Sequence, residues 1–382
     1  MMLSQLLTQL PLDLSQGFQV VPAHKLLAPI PAPAEGADRA WCELQNIAEY
    51  PSFVSPLPFQ ATQALIITEI DVSKLATVRA SLLRRYPAEH PVHNLNETGL
   101  SQQTLATASS AQAWYLPALS IETDVASPST LEWIMARLAG PHGCPWDRKQ
   151  THASLREFLL EETHETLEAL DAEDWPNLKE ELGDLLLQIV FHAEFGRQAG
   201  RFNLDQVYTA INSKLIRRHP HIFGTTEVSD ADEVLRNWDA IKATEHQEKG
   251  SQRESALDGI AKTLPPLATA QLIGKKAAKV GFDWPDVSGV WAKVHEEIAE
   301  LQAATSPEEQ AAEFGDVLFA LTNLARWLKI DSESALRGTI TKFRRRFVAV
   351  EQAAQAQGRQ LSQLSLSEAD TLWEAAKRAE KQ

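Results

Sequence analysis

The chain has 382 residues, of which 44% are hydrophobic and 23% are charged, and its formal net charge is −15. This length predicts two or three domains, and the acidic balance argues against nucleic acid or an anionic membrane as the main partner. The two cysteines, Cys42 and Cys144, are too few for a disulfide framework. Without a long apolar run or a basic leader in the sequence, we expect a cytoplasmic protein that has no membrane span and no signal peptide.

Residues 1–122 are rich in proline and contain short β-like runs. Ala64–Thr68 and a stretch near residues 114–116 are strand candidates. Residues 73–85 have helical periodicity that ends before Pro87. These elements predict a small α/β segment, and the short polar stretch 123–128, which ends in proline, predicts a linker.

From residue 129 onward the pattern is helical, in two stretches that we predict to be domains, 129–250 and 251–382. Capping signals at Ser129, Ser154, Asp174 and Asp230 predict helix starts in the first stretch. Ser306, followed by Pro307 and Glu309, predicts a start in the second. The predicted helices cover 129–140, a segment from 154, 178–199, 203–218, 230–250, 268–280, 287–304, 308–328, 332–357 and 365 to the end. The predicted fold class is mainly α, with two tandem all-α units after the small α/β segment.

Two pairs of acidic motifs organise the helical region. The first pair consists of Glu161, Glu162 and Glu165 with Glu181 and Asp184, and the second of Glu296, Glu297 and Glu300 with Glu313 and Asp316. Residues three and four apart share a helix face, so two packed helices would bring about four carboxylates together. A hard divalent cation would balance them.

The alternative for each acidic motif is an ordinary solvated helix face. Asp184 and Asp316 favour the metal site, because both lie within apolar runs. A buried, unpaired carboxylate costs several kcal/mol. The interpretation therefore requires these two aspartates to be buried.

Basic and aromatic motifs follow in the same order in both stretches. Lys214, Arg217 and Arg218 match Lys342, Arg345 and Arg346, and Trp238 with Lys242 matches Trp373 with Lys377. A duplicated all-α unit of about 120 residues is the simplest account. The basic residues are explained either by salt bridges and solvated faces or by a polyphosphate clamp. The tryptophans are explained either as packed residues or as base-stacking platforms.

Other metal and nucleotide sites have weaker support. His164, His192, His219 and His221 lack the ligand spacing and the cysteines of a zinc site. Glu161-x-x-His164 resembles a di-iron carboxylate motif, but Ala299 takes the place of the histidine in the second stretch. P-loop, Rossmann and hydrolase-elbow motifs do not organise the helical region.

The first segment resembles the C-terminal half of a tetrapyrrole methylase domain. The resemblance lies in residues 11–21, 64–71 and 84–92. In that family the glycine-rich loops that hold S-adenosylmethionine lie mostly in the other half. We therefore expect no methyl transfer and interpret the segment as a structural or docking remnant.

The helical region resembles the MazG nucleoside triphosphate pyrophosphohydrolases from residue 129 to the C-terminus. The resemblance lies in residues 140–152, in the acidic pairs and in residues 217–223. The whole chain resembles the fused methylase–MazG type without its first half-domain. The resemblance implies an all-α homodimer that hydrolyses (d)NTPs to (d)NMP and pyrophosphate with Mg²⁺, or Mn²⁺ as a substitute, in nucleotide-pool house-cleaning.

The resemblance also implies roles for individual residues. The metal ligands would be Glu297, Glu300, Glu313 and Asp316, and in the first stretch Glu162, Glu165, Glu181 and Asp184. The nucleotide would contact Asn323, Lys342, Arg345, Arg346, Trp373 and Lys377, and in the first stretch Lys214, Arg218, Trp238 and Lys242. Because nothing in the first stretch clearly matches Asn323, we expect the second to be the main catalytic centre.

The expected mechanism is metal-assisted hydrolysis. Mg²⁺ would lower the pKa of a bound water, Glu296 or Glu297 would accept its proton, and Lys342 and Arg346 would neutralise the leaving pyrophosphate. The rival hypothesis is a regulatory protein that binds nucleotides or a partner without cleaving them. Product analysis separates the two hypotheses.

Overall fold

The computed structural model describes residues 10, 17–27, 57–96, 99–248 and 255–380. The chain divides into two compact units, Met1–Ser213 and Lys214–Gln382. This division falls within a helix, and the predicted domain boundaries at residues 122 and 250 stay a prediction. Within the described ranges, no helix combines the length and apolar character needed to cross a bilayer.

The first unit contains a five-stranded sheet. Its strands are β1 (Phe18–Pro22), β2 (Ala64–Thr68), β3 (Pro91–Asn96), β4 (Gly99–Thr104) and β5 (Ala113–Leu116). They lie in the order β1-β2-β5-β3-β4, and only β1 and β2 pair in parallel among them. Both strand candidates are confirmed, whereas β1 and the β3–β4 hairpin were not predicted. Helix α1 covers Leu75–Leu82, which is shorter than the predicted 73–85.

Both faces of this sheet are buried. Leu65 and Ile67 face one core with Trp114, while Ile66 faces a second core with Tyr115. Burial on both faces explains why β2 is a continuous apolar run instead of an alternating one. The segment 123–128 also packs on this unit, because Asp124 is buried and its carboxylate accepts two hydrogen bonds from Arg85, of 3.0 and 2.5 Å.

Three long helices complete the first unit, and a fourth crosses its boundary. They are α2 (Pro128–Leu138), α3 (Arg156–Asp171), α4 (Trp175–Gln198) and α5 (Leu204–Arg218). The expected cap at Ser129 was wrong, because Pro128 occupies the first turn and Ser127 precedes it. Asp174 does cap α4, since its side chain accepts a hydrogen bond from the Asn177 backbone N–H. Helix α3 packs against α4.

The regular elements in the described residues of the second unit are helices. Its remaining helices are α6 (Pro220–Phe223), α7 (Ala231–Glu248), α8 (Pro266–Lys279), α9 (Val287–Ala303), α10 (Pro307–Trp327), α11 (Ser332–Ala356) and α12 (Leu366–Ala379). The first four helices after residue 255 begin and end within about two residues of the predicted limits. The last begins one residue after the predicted start, and its predicted end at residue 382 lies outside the described residues. The capping box of Ser306 and Glu309 is confirmed. Val290 and Val294 on α9 pack against Ala320 and Leu324 on α10, and this packing fixes the helix pair that carries the second acidic motifs.

Candidate functional site

Helices α3 and α4 bring the first set of acidic side chains together. Glu162 and Glu165 on α3 and Glu181 on α4 each offer a carboxylate oxygen, and these oxygens all lie within 4.8 Å of one another. We call this group the first cluster. Burial raises the pKa of Glu162, and the charges of Asp184, Glu165 and Glu181 raise it further. Burial likewise raises the pKa of Glu181, with added repulsion from Glu165 and Asp184.

Helices α9 and α10 form the corresponding second cluster. Glu297, Glu300 and Glu313 offer oxygens that again lie within 4.8 Å of one another. Burial raises the pKa of Glu300, and repulsion from Glu297 and Glu313 adds to this. Lys293 lies beside the second cluster, with its Nζ 2.7 Å from Glu297 Oε1 and 2.9 Å from Glu296 Oε1. Hydrogen bonds to these two glutamates raise the pKa of Lys293.

The prediction that the two aspartates are buried was wrong. Asp316 is exposed and Asp184 is only half-buried. The reason is that α4 and α10 carry apolar residues on more than one face, so that Leu182 and Phe314 beside the aspartates remain more than half exposed. The buried acids are instead Glu181, at 9% exposed, and Glu297, at 6%.

The two clusters fit a hard divalent cation. Each presents carboxylate oxygens alone, which are the ligands that Mg²⁺ and Ca²⁺ prefer. Desolvation and the closeness of like charges raise the pKa values of Glu162, Glu181 and Glu300. A bound cation would relieve this repulsion.

The paired arginines of both stretches are held by a glutamate. Arg217 and Arg218 both donate hydrogen bonds to Glu245, with N–O distances between 2.6 and 3.1 Å. Arg345 and Arg346 both donate to Glu380, at 2.8 and 2.7 Å. Hydrogen bonds from Arg218 and then Arg217 lower the pKa of Glu245 to about 2.

Sequence analysis did not identify these two glutamates, although a signal was present. Glu245 follows Trp238 by seven residues, and Glu380 follows Trp373 by the same interval. Seven residues are two helical turns, so the glutamate and the tryptophan share one helix face. The repeated spacing therefore continues the Trp-x-x-x-Lys motif by one more turn.

The repeated tryptophans are half-buried and lie against basic side chains. Lys242 Nζ lies 5.9 Å from the ring centroid of Trp238, and His219 contacts the same ring edge-on at 4.9 Å. Arg346 Cζ lies 5.9 Å from the ring centroid of Trp373. The rings are thus within range of cation–π contact.

The other predicted nucleotide contacts have varied surroundings. Asn323 is buried, and its Oδ1 accepts a hydrogen bond of 2.8 Å from Arg326 Nε. Lys377 donates to Glu374 at 2.7 Å. Lys342 is exposed on α11 and Lys214 is half-buried on α5. Contact of these side chains with a nucleotide stays a prediction.

The chain is similar to named proteins of one enzyme family. The model of the MazG nucleotide pyrophosphohydrolase domain matches residues 150–223. The nucleoside triphosphate pyrophosphohydrolase/pyrophosphatase MazG of Thermotoga maritima is 45% identical over 244 residues, which cover 64% of this chain and 93% of that protein. The nucleoside triphosphate pyrophosphohydrolase of Escherichia coli K12 is 43% identical over 253 residues, or 65% of this chain and 95% of that protein.

A further relative extends the similarity towards the N-terminus. The uncharacterized protein YabN of Bacillus subtilis is 42% identical over 334 residues, which cover 83% of this chain and 68% of that protein. This coverage exceeds the two thirds of the chain that residues 129–382 occupy, so it includes part of the α/β segment. Together with the two enzyme matches, it leads to one conclusion: the chain belongs to the MazG nucleotide pyrophosphohydrolase family.

Proposed function

We propose that this protein is a nucleoside triphosphate pyrophosphohydrolase, which cleaves (d)NTPs to (d)NMP and pyrophosphate. Family membership supports the reaction, since relatives more than 40% identical over nearly their whole length are named for it. The observation that carries the proposal is the pair of carboxylate clusters, each with three oxygens within 4.8 Å. The proposed role is nucleotide-pool house-cleaning, in which the enzyme would remove pyrophosphate from damaged or surplus nucleotides.

Mg²⁺ is the proposed cofactor, with Mn²⁺ as a substitute. Glu297, Glu300, Glu313 and Asp316 would hold it in the second stretch, and Glu162, Glu165, Glu181 and Asp184 in the first. When bound, the cation would neutralise negative charge on the phosphate oxygens. The donor set supports this choice, because hard cations prefer carboxylate oxygen.

The remaining roles in the proposed reaction belong to side chains of this chain. Glu296, which is exposed beside the second cluster, or Glu297 would accept a proton from the attacking water. Lys342 and Arg346 would neutralise charge on the leaving pyrophosphate. Trp373 and Lys377 would contact the nucleotide, with Trp238, Lys242, Lys214 and Arg218 in the same roles in the first stretch.

The proposal also covers the repeated helical unit, the assembly and the sheet of the first unit. Residues 129–250 and 251–382 are proposed to be two copies of one unit, which the shared order of clusters, arginine pairs and tryptophans supports. The assembly is proposed to be a cytoplasmic homodimer. The sheet of the first unit is proposed to be a remnant of a methylase-like domain without methyl-transfer activity.

Product identification tests the proposed function. The full chain is incubated with Mg²⁺ and each of the eight common NTPs and dNTPs, and the products are separated by anion-exchange chromatography. The expected result is (d)NMP and pyrophosphate in equal amounts. Release of orthophosphate instead would indicate a different phosphohydrolase, and binding of NTP without any product would support the regulatory alternative.

A further inference from the structure

One glutamate clamps two consecutive arginines at the same relative position in both stretches. Glu245 on α7 binds the arginine pair at the end of α5, and Glu380, directly after α12, binds the arginine pair on α11. In both stretches the first arginine is at least half exposed, and the second is more buried, at 24% for Arg218 and 17% for Arg346.

One hydrogen bond is common to all four arginines. Each donates its Nε–H to the glutamate, and Arg217, Arg218 and Arg346 also bring Nη2 to within 2.6–2.7 Å of it. A guanidinium has five N–H donors. These contacts with the glutamate use Nε, and in three of the arginines Nη2, and the Nη1 donors are not among them.

The charge balance of each clamp is suited to anion binding. Two guanidinium groups and one carboxylate leave a net charge of +1, because hydrogen bonds from both arginines lower the pKa of Glu245 and of Glu380 and keep both ionised. An arginine held at one edge loses less side-chain freedom when its other end binds a phosphate. The glutamate itself does not attract a phosphate, because its negative charge repels one. Attraction of the phosphate therefore does not explain why a carboxylate lies between the two arginines.

We propose that Glu245 and Glu380 are positioning residues, which fix the Nη1 ends of the arginine pairs for the triphosphate in the pyrophosphohydrolase reaction. This inference rests on the proposed function. The glutamates act through the arginines and do not touch the substrate. Their role is to make the arginines complementary to the charge that develops on the leaving pyrophosphate, instead of to the ground-state nucleotide.

Kinetics of the full chain test this role. Glu245→Ala and Glu380→Ala are made separately and together, and kcat and KM are measured with the NTP that the wild-type protein cleaves best. We expect the variant in the active stretch to lose about tenfold to a hundredfold in kcat. KM should stay unchanged or fall, because loss of the carboxylate leaves more positive charge at the site.

Matched controls separate positioning from helix stability. Glu233→Gln and Glu368→Gln remove acidic groups near the starts of α7 and α12, where Glu233 binds Ser229 and Glu368 binds Ser365 and Arg359. Both should lower Tm while kcat stays near the wild-type value. Restoration of part of kcat by Glu380→Gln, which keeps one acceptor oxygen, would further support positioning.

A double-mutant cycle gives a second, independent readout. Glu380→Ala should have little effect on kcat in a chain that already carries Arg346→Ala, because its action passes through that arginine. Full kcat in both alanine variants and in their combination would overturn the proposal, as would additive losses in the cycle. If the proposed function itself is wrong, the wild-type protein yields no (d)NMP and pyrophosphate. This result differs from wild-type activity that the glutamate variants leave unchanged.

Discussion

The first and second carboxylate clusters have the same three-glutamate geometry, but their charge balance differs. In the second cluster Lys293, four residues before Glu297, lies 2.7 Å from that carboxylate. In the first, the residue four before Glu162 is Phe158. Phe158 packs on the core of the first unit and contacts Trp146 edge-on at 5.8 Å.

This difference concerns which positive charges balance the carboxylates of each cluster. The second cluster carries an internal ammonium group, which is a flexible counter-ion with three donors. The first has the uncharged aromatic ring of Phe158 at that position. Desolvation and repulsion raise the pKa of Glu300 and Lys293 lowers it against them, whereas burial and neighbouring carboxylates raise the pKa values of Glu162 and Glu181 in the first cluster. A cation bound to the first cluster should therefore neutralise more negative charge. A cation bound to the second cluster should have to displace the ammonium group of Lys293.

The largest expected effect separates the clusters by activity. Glu297→Gln should lower kcat for NTP hydrolysis at least about a hundredfold, because it removes a proposed metal ligand and proton acceptor of the stretch that we expect to be the main centre. Glu162→Gln should leave most of the activity. Circular dichroism checks that both variants fold. The opposite ranking of the two variants would move the catalytic centre to the first stretch.

The second prediction concerns metal affinity. Lys293→Met should tighten Mn²⁺ binding by the second cluster up to about fivefold, because the ion no longer has to displace the partly exposed ammonium group of Lys293. The contact of that group with the carboxylates contributes up to about 1 kcal/mol. Electron paramagnetic resonance of Mn²⁺ measures this in a chain that also carries Glu162→Gln.

The control for this measurement is Phe158→Met, which changes the matching position without a change in charge. In a chain with Glu297→Gln, it should leave Mn²⁺ affinity of the first cluster within about twofold. Weaker Mn²⁺ binding by Lys293→Met would mean that Lys293 supports the ion instead of competing with it.

Much of the helical architecture was predictable from sequence, because helix starts are local. Ser306 and Asp174 cap their helices by hydrogen bonds that span only three residues. Convergence of three glutamates in each pair of motifs also followed from helical spacing, although neither Asp184 nor Asp316 is in these groups. Burial did not, since an apolar run does not reveal which of its faces is packed. Asp316 lies in such a run and is exposed, while Glu297 lies in a mixed one and is buried.

Contacts between distant helices were the least predictable part. Glu380 contacts arginines 34 and 35 residues earlier in the chain, and no local rule pairs an acid with one base among many. Comparison of the two stretches would have identified it, because a structural ion pair that is repeated leaves the same spacing twice. The strands β3 and β4 were missed because their sequence, with Asn94, Asn96, Gln102 and Gln103, has low β-propensity.

The third prediction concerns stability without metal. Glu181→Gln should raise Tm in EDTA by about 2 °C, because it removes a carboxylate whose raised pKa shows that the ionised form is unfavourable in the folded state. It should also reduce the rise in Tm on addition of Mg²⁺, which should be about 5 °C for the wild-type protein at a hundred times Kd. Differential scanning calorimetry measures both effects.

Glu168→Gln on α3 is the control, since Glu168 is exposed and outside the cluster. It should change neither Tm in EDTA nor the response to Mg²⁺ appreciably. A fall in Tm for Glu181→Gln in EDTA would show that the ionised carboxylate stabilises the fold, contrary to the repulsion inferred for the first cluster.

The smallest expected effect compares the two arginine clamps through pH. The pKa of Glu245 is lowered to about 2 by its hydrogen bonds with Arg218 and Arg217. A group with a lowered pKa stabilises the fold above its unfolded pKa of about 4.3, and this stabilisation is lost as pH falls towards its folded pKa. Glu245→Gln should therefore lower Tm by about 2 °C at pH 7, and the difference from the wild-type protein should shrink steadily below about pH 4.5.

Glu380→Gln should follow the same pH course with a smaller amplitude. Its side chain is 20% exposed, against 8% for Glu245, so water screens its contact with Arg345 and Arg346 more strongly. Thermal melts from pH 7 to pH 3.5 measure both series. A difference in Tm that grows as pH falls would mean that the carboxylates are protonated in the folded clamps, and equal amplitudes would mean that exposure does not distinguish the two stretches.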